Sequence, residues 1–478
     1  MTDGPNDEQS PPIAGVLELL KALDDADVAY CHWKSNEAIH RTLSAENDLD
    51  LLVERADGPR FDAVLDELGY RTANTSAHRH VPGMVDHYRY DHDAGRMIHV
   101  QAHYQLVLGD DMTKNFRLPL EAPYLASRRP AGPIPVPELE FEYLIFILRM
   151  VIKHTALDAQ AARVGRLGLS ERRELIHLAE RADSTRLDEL RREHTPFVSA
   201  AMLERCIAAI QPKSGRLQRA KAGRELAAVL QPYSREPAMT DLTLKTVRRF
   251  RRKREGSDPI SRRRPERGGL LVAIVGSDGS GKSSAVDALT TTFGRHFPTY
   301  RFHLGKPPRS LTSRGIGKVV RTLRRLTGSR SETPDLGFYL LHALQARDRL
   351  AAFTEARRHA ARGALVICDR MPMADIHTMD APKGEPQLGP TPGRLARWLA
   401  AYEVRAYRAI GPADTTIVLR VEPEIAVARR VEQDADFVRG RAAEVWGHDW
   451  RPPVVVVDAS APHADVLGEV HRIVWDAL

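Results

Sequence analysis

Cysteine is scarce: Cys31, Cys206 and Cys368 are the only three among 478 residues. Odd in number and far apart, they supply neither a disulfide framework nor a CxxC metal knuckle, and they suit a reducing, cytoplasmic setting. Aromatic residues make up 6% of the chain, too few for an aromatic-rich binding surface. Long apolar runs are missing as well. The most apolar stretch, Leu144 to Ile152, is interrupted by Arg149 and falls far short of the ~20 residues needed to cross a bilayer. Residues Met1 to Pro12 are acidic and polar, with no basic start and no apolar core of a leader, so neither secretion nor membrane insertion is expected.

A global excess of one charge is also lacking. The net charge is +7, but Lys245 to Arg267 alone carries eleven Lys or Arg residues against Glu255, Asp258 and Glu266, which leaves the rest of the chain near neutral. Nucleic acid is therefore not an expected partner. The run KTVRRFRRKREGSDPISRRRPERGG has few apolar residues, and reads as a solvated interdomain linker rather than as a nucleic-acid or anionic-lipid patch.

What is present divides the chain into four parts. Residues 1–130 mix strand-like runs (Leu49 to Val53, Met97 to Tyr104) with helical ones (Ile13 to Asp24, Arg60 to Leu68), a small α/β domain. Residues 131–240 read as helical, with Phe141 to Ile152 and Ser170 to Arg181 as the clearest segments. Residues 241–268 are the basic linker. In residues 269–478, apolar strands (Leu270 to Val275, Tyr300 to Leu304, Ala364 to Cys368, Thr415 to Val421, Val454 to Val457) alternate with helical patterns. Continuous apolar strands separated by helices predict a doubly wound parallel sheet.

The strongest chemical signal is LLVAIVGSDGSGKSS, which fits GxxxxGK[ST] at Gly276, Gly281, Lys282 and Ser283, between a strand and a helix. Glycines let backbone N–H groups wrap a phosphate, the helix start attracts the anion, and Lys282 reaches the β- and γ-phosphates. Ser277, Asp278, Gly279, Ser280 and Ser284 complete the loop, and Ser283 would hold Mg²⁺. A second element, GALVICDRMP, delivers Asp369 and Arg370 to a strand's carboxyl end, where open α/β sheets bind ligands. Asp369 could orient Mg²⁺ and Arg370 could clamp a phosphate. Switch GTPase, motor and small-molecule kinase all share a loop of this kind.

With these elements in place, residues Gly269 to Leu478 resemble the thymidylate kinases, P-loop kinases that phosphorylate dTMP with ATP. The resemblance rests on GSDGSGKSS, on the Asp369-Arg370 pair, on GPADTTIVLRVEPEIAVARR, and on the closing VVVVDASAPHADVLGEVHRIV. It implies that Asp278 bonds the acceptor's sugar hydroxyl and that Arg370 holds the acceptor phosphate. It also implies that lid arginines, drawn from Arg429, Arg430, Arg439 and Arg441, close over ATP. Three positions depart from the family: Val275 replaces a carboxylate, Met371 an aromatic, and Ala343 the aromatic four residues before Arg347. Phosphoryl transfer is thus better supported than dTMP as its acceptor, and the loop Met371 to Pro392 could be a lid or a reshaped acceptor pocket.

In the first 130 residues, Lys34-Ser35 followed by Asp48-Leu49-Asp50 resembles the GS…DxD signature of the nucleotidyltransferase fold, with Lys34 in the usual glycine's place. Alternation puts Asp48 and Asp50 on one face, where they could share a divalent cation. The resemblance implies a third acid on the Met97 to Tyr104 strand, but Gln101 stands there, leaving His99 or His103 to complete a site. The six histidines from His78 to His103 are irregularly spaced and read as scattered surface residues rather than a zinc site.

The expected protein is a cytoplasmic kinase that uses Mg²⁺-ATP and a small phosphorylated acceptor, with homodimerisation left open. Two other functions compete: nucleotidyl transfer through the DxD with a regulatory P-loop domain, and an ATP-hydrolysing, nucleotide-gated binding module.

Overall fold

The computed structural model describes residues 10–75, 80–155, 166–255, 263–327, 335–373, 376 and 381–478, with side chains described outside 251–255 and 323–327. The chain forms two compact units, Met1–Asp258 and Pro259–Leu478.

In the first unit the strands β1 (Tyr30–His32), β2 (Leu49–Val53), β3 (Arg71–Asn74), β4 (Met84–Asp91) and β5 (Arg96–His103) lie in the order β1-β2-β5-β4-β3. Only β2 and β5 run parallel; the other neighbours are antiparallel. One face carries α1 (Ala14–Asp25) and α2 (Gly58–Glu67). Leu19, Leu23 and Phe61 from these helices join Leu49, Leu51 and Val100 in one apolar core, the burial that sets the sheet's register.

Helix α3 (Leu139–His154) is apolar nearly all round, from Phe141 to Ile152, and becomes the buried axis of a second core. Around it lie α4 (Leu169–Arg181), α5 (Ser184–His194), α6 (Ala200–Ile210) and α7 (Arg216–Val229). Asp183 starts α5 by accepting from Thr185 N at 2.9 Å, and Ser199 starts α6 by accepting from Met202 N at 3.2 Å. Residues 1–130 and 131–240 both fall within this unit.

Part of the expected linker is helical. Helix α8 spans Ala238–Glu255, and its polar face is fastened to the rest of the first unit: Lys245 to Asp110 at 3.9 Å, Arg249 to Asp110 at 3.0 Å, and Arg248 to the Met112 carbonyl at 2.6 Å. Ion pairs dock this helix where apolar contacts were the only packing considered from sequence. Residues 256–262 lie outside the described residues.

The second unit is a wholly parallel sheet of β6 (Leu270–Gly276), β7 (Thr299–His303), β8 (Leu365–Asp369), β9 (Thr415–Arg420) and β10 (Val454–Asp458), in the order β7-β8-β6-β9-β10. Every residue of central β6 is buried, as a strand covered on both faces requires. The chain leaves β6 to build one side of the sheet and then crosses back to build the other. That reversal places a crevice at the carboxyl ends of β6 and β8. The helices are α9 (Lys282–Gly294), α10 (Leu311–Thr327), α11 (Leu336–Ala361), α12 (Arg394–Arg408), α13 (Pro423–Ala428), α14 (Ala435–Gly447) and α15 (His463–Ala477). Ala352, Phe353 and Ala356 of α11 cover one face, while Phe293 of α9 stacks on Trp475 of α15. Among the described residues no helix is long and apolar enough to cross a membrane.

Candidate active site

The loop between β6 and α9 is shaped by what its glycines leave out. Gly276 has φ +154°, and a Cβ there would stand 2.5 Å from the Leu419 carbonyl oxygen and 2.6 Å from Ser280 Oγ. Gly281, at φ +84°, holds the left-handed turn that starts α9. Lys282 is buried, and its ammonium folds over the loop, donating to the Ser277 carbonyl and, at 3.5 Å, to Ser280 Oγ. Burial, with Arg370 as the next influence, pushes the Lys282 ammonium down to about 8. Ser283 and Ser284 follow in the exposed first turn of α9.

At the end of β8, Arg370 adopts a left-handed φ of +60°, which is costly for a residue with a Cβ. Its amide bonds the Ile274 carbonyl at 3.1 Å, and its guanidinium reaches Asp278 Oδ1 at 2.5 Å. From α14, Arg441 donates to Asp278 Oδ2 at 2.8 Å and lies over the Phe437 ring. Burial alone would raise the Asp278 carboxyl, but Arg441 and then Arg370 outweigh it and hold the group below its ordinary range. Asp369 is buried. Its Oδ2 lies 3.4 Å from Arg301, and its Oδ1 has no hydrogen-bond partner among the described residues.

Of these groups Asp278, Arg370 and Arg441 border a cavity of about 540 Å³, lined also by Lys306, His342, Gln345, Arg349, Lys383, Tyr407 and Phe437. Five cations face it against few acids, so it suits an anionic ligand. Arg349 was not foreseen. It is 1% exposed, donates to the Leu304 carbonyl at 2.6 Å and the Gly305 carbonyl at 2.9 Å, and bonds the Tyr407 hydroxyl. The arginine singled out on this helix, Arg347, turns instead to Ser310 Oγ at 2.6 Å and Ser313 Oγ at 3.2 Å. Ala343 packs with Tyr339, Leu399 and Ala400. Of the loop Met371 to Pro392, residues 374–375 and 377–380 lie outside the described residues. Lys383 is anchored by its amide to the buried Glu403 at 3.0 Å.

The four lid candidates separate. Arg441 lines the cavity. Arg429 is tied to the Ala459 carbonyl at 2.8 Å and the Gly279 carbonyl at 3.4 Å, along the loop's edge. Arg430 lies near enough to help depress the Lys282 ammonium. Arg439 points away, paired with Glu424 at 2.7 Å and Asp436 at 2.6 Å.

In the first unit, Asp48 and Asp50 each face a partner within the protein. Asp48 pairs with His99 Nδ1 at 2.7 Å, while Asp50 pairs with Lys34 at 2.8 Å and His103 Nε2 at 3.4 Å. Among the described residues no group of three or more His, Cys, Asp or Glu side chains could hold a metal ion. Lys34, which stands in the place of the usual glycine, sets its ammonium against Asp50. A carboxylate does stand beside Gln101, on the neighbouring strand. Asp86 is in register with Gln101, accepts from its Nε2 at 3.1 Å, and meets His99 Nε2 at 2.9 Å. His87, His99 and His103 are buried, contrary to the reading of these histidines as a surface scatter.

The fold and loop define a class: an α/β unit with a phosphate-binding loop at the carboxyl edge of a parallel sheet. No family model matches the chain. It is 24% identical over 223 residues to the "Uncharacterized ATP-binding protein YghR" of Escherichia coli (strain K12), an alignment covering 43% of this chain and 86% of that protein. The same figures hold for the protein of that name in Escherichia coli O6:H1. Among solved structures, the deoxyadenosine kinase from M. mycoides with bound dATP aligns with a TM-score of 0.27 and 15% identity, over 43% of this chain and 98% of that one.

Proposed function

We propose that the second unit is an ATP-dependent kinase that transfers the γ-phosphoryl group to a small phosphorylated acceptor, a nucleoside monophosphate such as dTMP or a related compound. One observation carries the reading: Asp278, at the third position of the phosphate loop, is held between Arg370 and Arg441 at the wall of a cation-lined cavity. An ATPase has no need of a second anion site beside its loop. The similarity to a protein named as ATP-binding supports ATP as the donor.

The residues divide the work by charge. The loop amides and Lys282 hold the donor phosphates, and the ammonium neutralises charge on the transferred group. Arg370 and Arg441 hold the acceptor phosphate, whose oxygen attacks the γ-phosphorus as the bond to the departing ADP oxygen breaks. A phosphate dianion carries its own nucleophilic oxygen, so no strong base is required. Asp278, with its carboxyl held low, is a poor base and a good positioning group. Mg²⁺ fits the residues present, because Asp369 Oδ1 is buried without a partner among the described residues and Ser283 stands in the first turn of α9. Asp369 and Ser283 would hold it, and it would neutralise negative charge on the phosphate oxygens.

The test is a screen of the full chain with radiolabelled ATP against nucleoside monophosphates, nucleosides and phosphosugars. Label is expected in phosphorylated acceptors and absent from plain nucleosides. Release of inorganic phosphate alone, at a rate no acceptor changes, would replace the kinase with a nucleotide-hydrolysing module.

A further inference from the structure

Helix α8 is amphipathic in the inverted sense. Its polar side, Lys245, Arg248 and Arg249, faces the rest of the first unit through the contacts to Asp110 and the Met112 carbonyl given above. Its apolar side faces outward: Met239 is 76% exposed, Leu242 47%, Val247 42% and Phe250 65%. Thr243 and Thr246 lie on the same stripe, at the i, i+3, i+4, i+7 spacing of one helix face. Their hydroxyls are spent on the helix itself, donating to the Met239 carbonyl at 2.8 Å and the Leu242 carbonyl at 2.9 Å. The outward face thus makes few polar demands on whatever covers it.

We propose that α8 docks on the surface of an anionic lipid bilayer, lying in the interface without spanning it. Charge selects this occupant. Between Lys245 and Arg254 the sequence holds seven Lys or Arg residues and no Asp or Glu, so a two-fold partner presenting the same helix would bring like charge against like charge. Nucleic acid would use the cations but leave Val247 and Phe250 in water. An anionic bilayer satisfies both: acyl chains take the stripe, and headgroups take the basic run Arg251 to Arg254 that follows Phe250 in sequence. The inference departs from the reading of this run as a solvated linker and is independent of the kinase assignment.

The experiment is flotation of the full chain with vesicles of equimolar phosphatidylserine and phosphatidylcholine, against vesicles of phosphatidylcholine alone. Binding is expected to the anionic vesicles only, and to weaken as salt is raised. Val247→Ser/Phe250→Ser should weaken it about tenfold or more, because two apolar side chains no longer enter the interface. Arg251→Gln/Arg252→Gln should weaken it by a similar factor. The replaced side chains of the first variant are exposed, and circular dichroism of both variants should match the parent. Absence of vesicle binding, equal binding to both vesicle types, or binding that the Val247→Ser/Phe250→Ser variant leaves unchanged would each overturn the proposal. So would self-association lost in that variant without any vesicle binding, which would assign the face to a second copy.

Discussion

Arg370 reaches Asp278 across 92 residues of sequence, its guanidinium 2.5 Å from the carboxylate, and thereby links the end of β8 to the phosphate loop that follows β6. A left-handed backbone at Arg370 directs the side chain into the cavity instead of along the strand, a local cost retained by the surrounding packing. If this guanidinium exchanges its carboxylate for an acceptor phosphate, Arg370→Ala should raise the acceptor KM or lower kcat, with kcat/KM falling about 100-fold. ATP affinity should stay within about threefold, because the donor is held by the loop. Steady-state kinetics with the acceptor varied at saturating ATP would check this. A variant that lost ATP affinity alone would show that Arg370 serves the donor.

The split between Arg441 and Arg439 gives a paired comparison on one helix. Arg441 lines the cavity and bonds Asp278, whereas Arg439 is exposed and paired with Glu424 and Asp436. Arg441→Ala is expected to lower kcat/KM by about 10- to 100-fold, while Arg439→Ala should leave it within about twofold, since exposed ion pairs contribute little. Equal losses in the two variants would mean that the helix as a whole, and not Arg441, matters.

Lys282 couples function to stability through burial. Its ammonium titrates near 8 in the folded protein, against about 10.4 for an ordinary lysine. A cationic group with a lowered folded pKa binds fewer protons in the native state between those values, so its penalty on stability is full below about pH 8 and is relieved as pH rises toward about 10. Lys282→Met should therefore stabilise the nucleotide-free protein by about 1–3 kcal/mol at neutral pH, while lowering phosphoryl transfer ~100-fold or more. Nucleotide affinity of the parent should fall as pH rises through about 8 and Lys282 loses its charge, with proton uptake on binding in that range. Thermal melts and calorimetry in two buffers of different ionisation heat would read both effects. A destabilised Lys282→Met variant would show that the bonds to Ser277 and Ser280 outweigh desolvation.

The second unit was largely legible in sequence because its signals are local. Its central strands are apolar runs, and the structure ends them within a residue or so of the run, as at Leu270–Gly276 and Leu365–Asp369, whereas the edge strand Thr299–His303 carries Arg301 at its middle. The phosphate loop was readable for the same reason, since one turn contains all its parts. Arg349 was not readable: a buried arginine inside a helix has no signature until Leu304, Gly305 and Tyr407 converge on it. Helices Leu311–Thr327 and Ala435–Gly447 also went unread. In the first unit, Met84–Asp91 was missed as a strand because Asp86, His87, Arg89 and Asp91 hide its alternation. Asp86 was missed with it. Its carboxylate stands one strand beyond Met97 to Tyr104, along the same row as Gln101, a neighbour that only strand pairing reveals.

The ion pair of Lys34 and Asp50 provides the last test, because it decides whether the first unit's carboxylates await a metal or are already neutralised. Both side chains are largely buried, 20% and 15% exposed, and 2.8 Å apart. Burial alone would raise the Asp50 carboxyl, but Lys34 and then His103 hold it well below the usual carboxylate range. A depressed carboxylate contributes stability that is present above its unfolded pKa of about 3.9 and is lost as pH falls through the folded value. In Lys34→Met, Asp50 keeps its burial and loses its main counter-charge, which should cost about 2–4 kcal/mol at neutral pH. The loss should shrink on mild acidification as the carboxyl takes up a proton. Lys34→Met/Asp50→Asn should recover much of the stability, since no unpaired charge remains. Denaturant unfolding at pH 7 and pH 5, with and without Mn²⁺, would measure this, and Mn²⁺ should leave the parent's midpoint unchanged. A marked Mn²⁺-dependent stabilisation of the parent, absent from Asp48→Asn/Asp50→Asn, would mean that Lys34 yields its place to a cation and that the two carboxylates form a metal site after all.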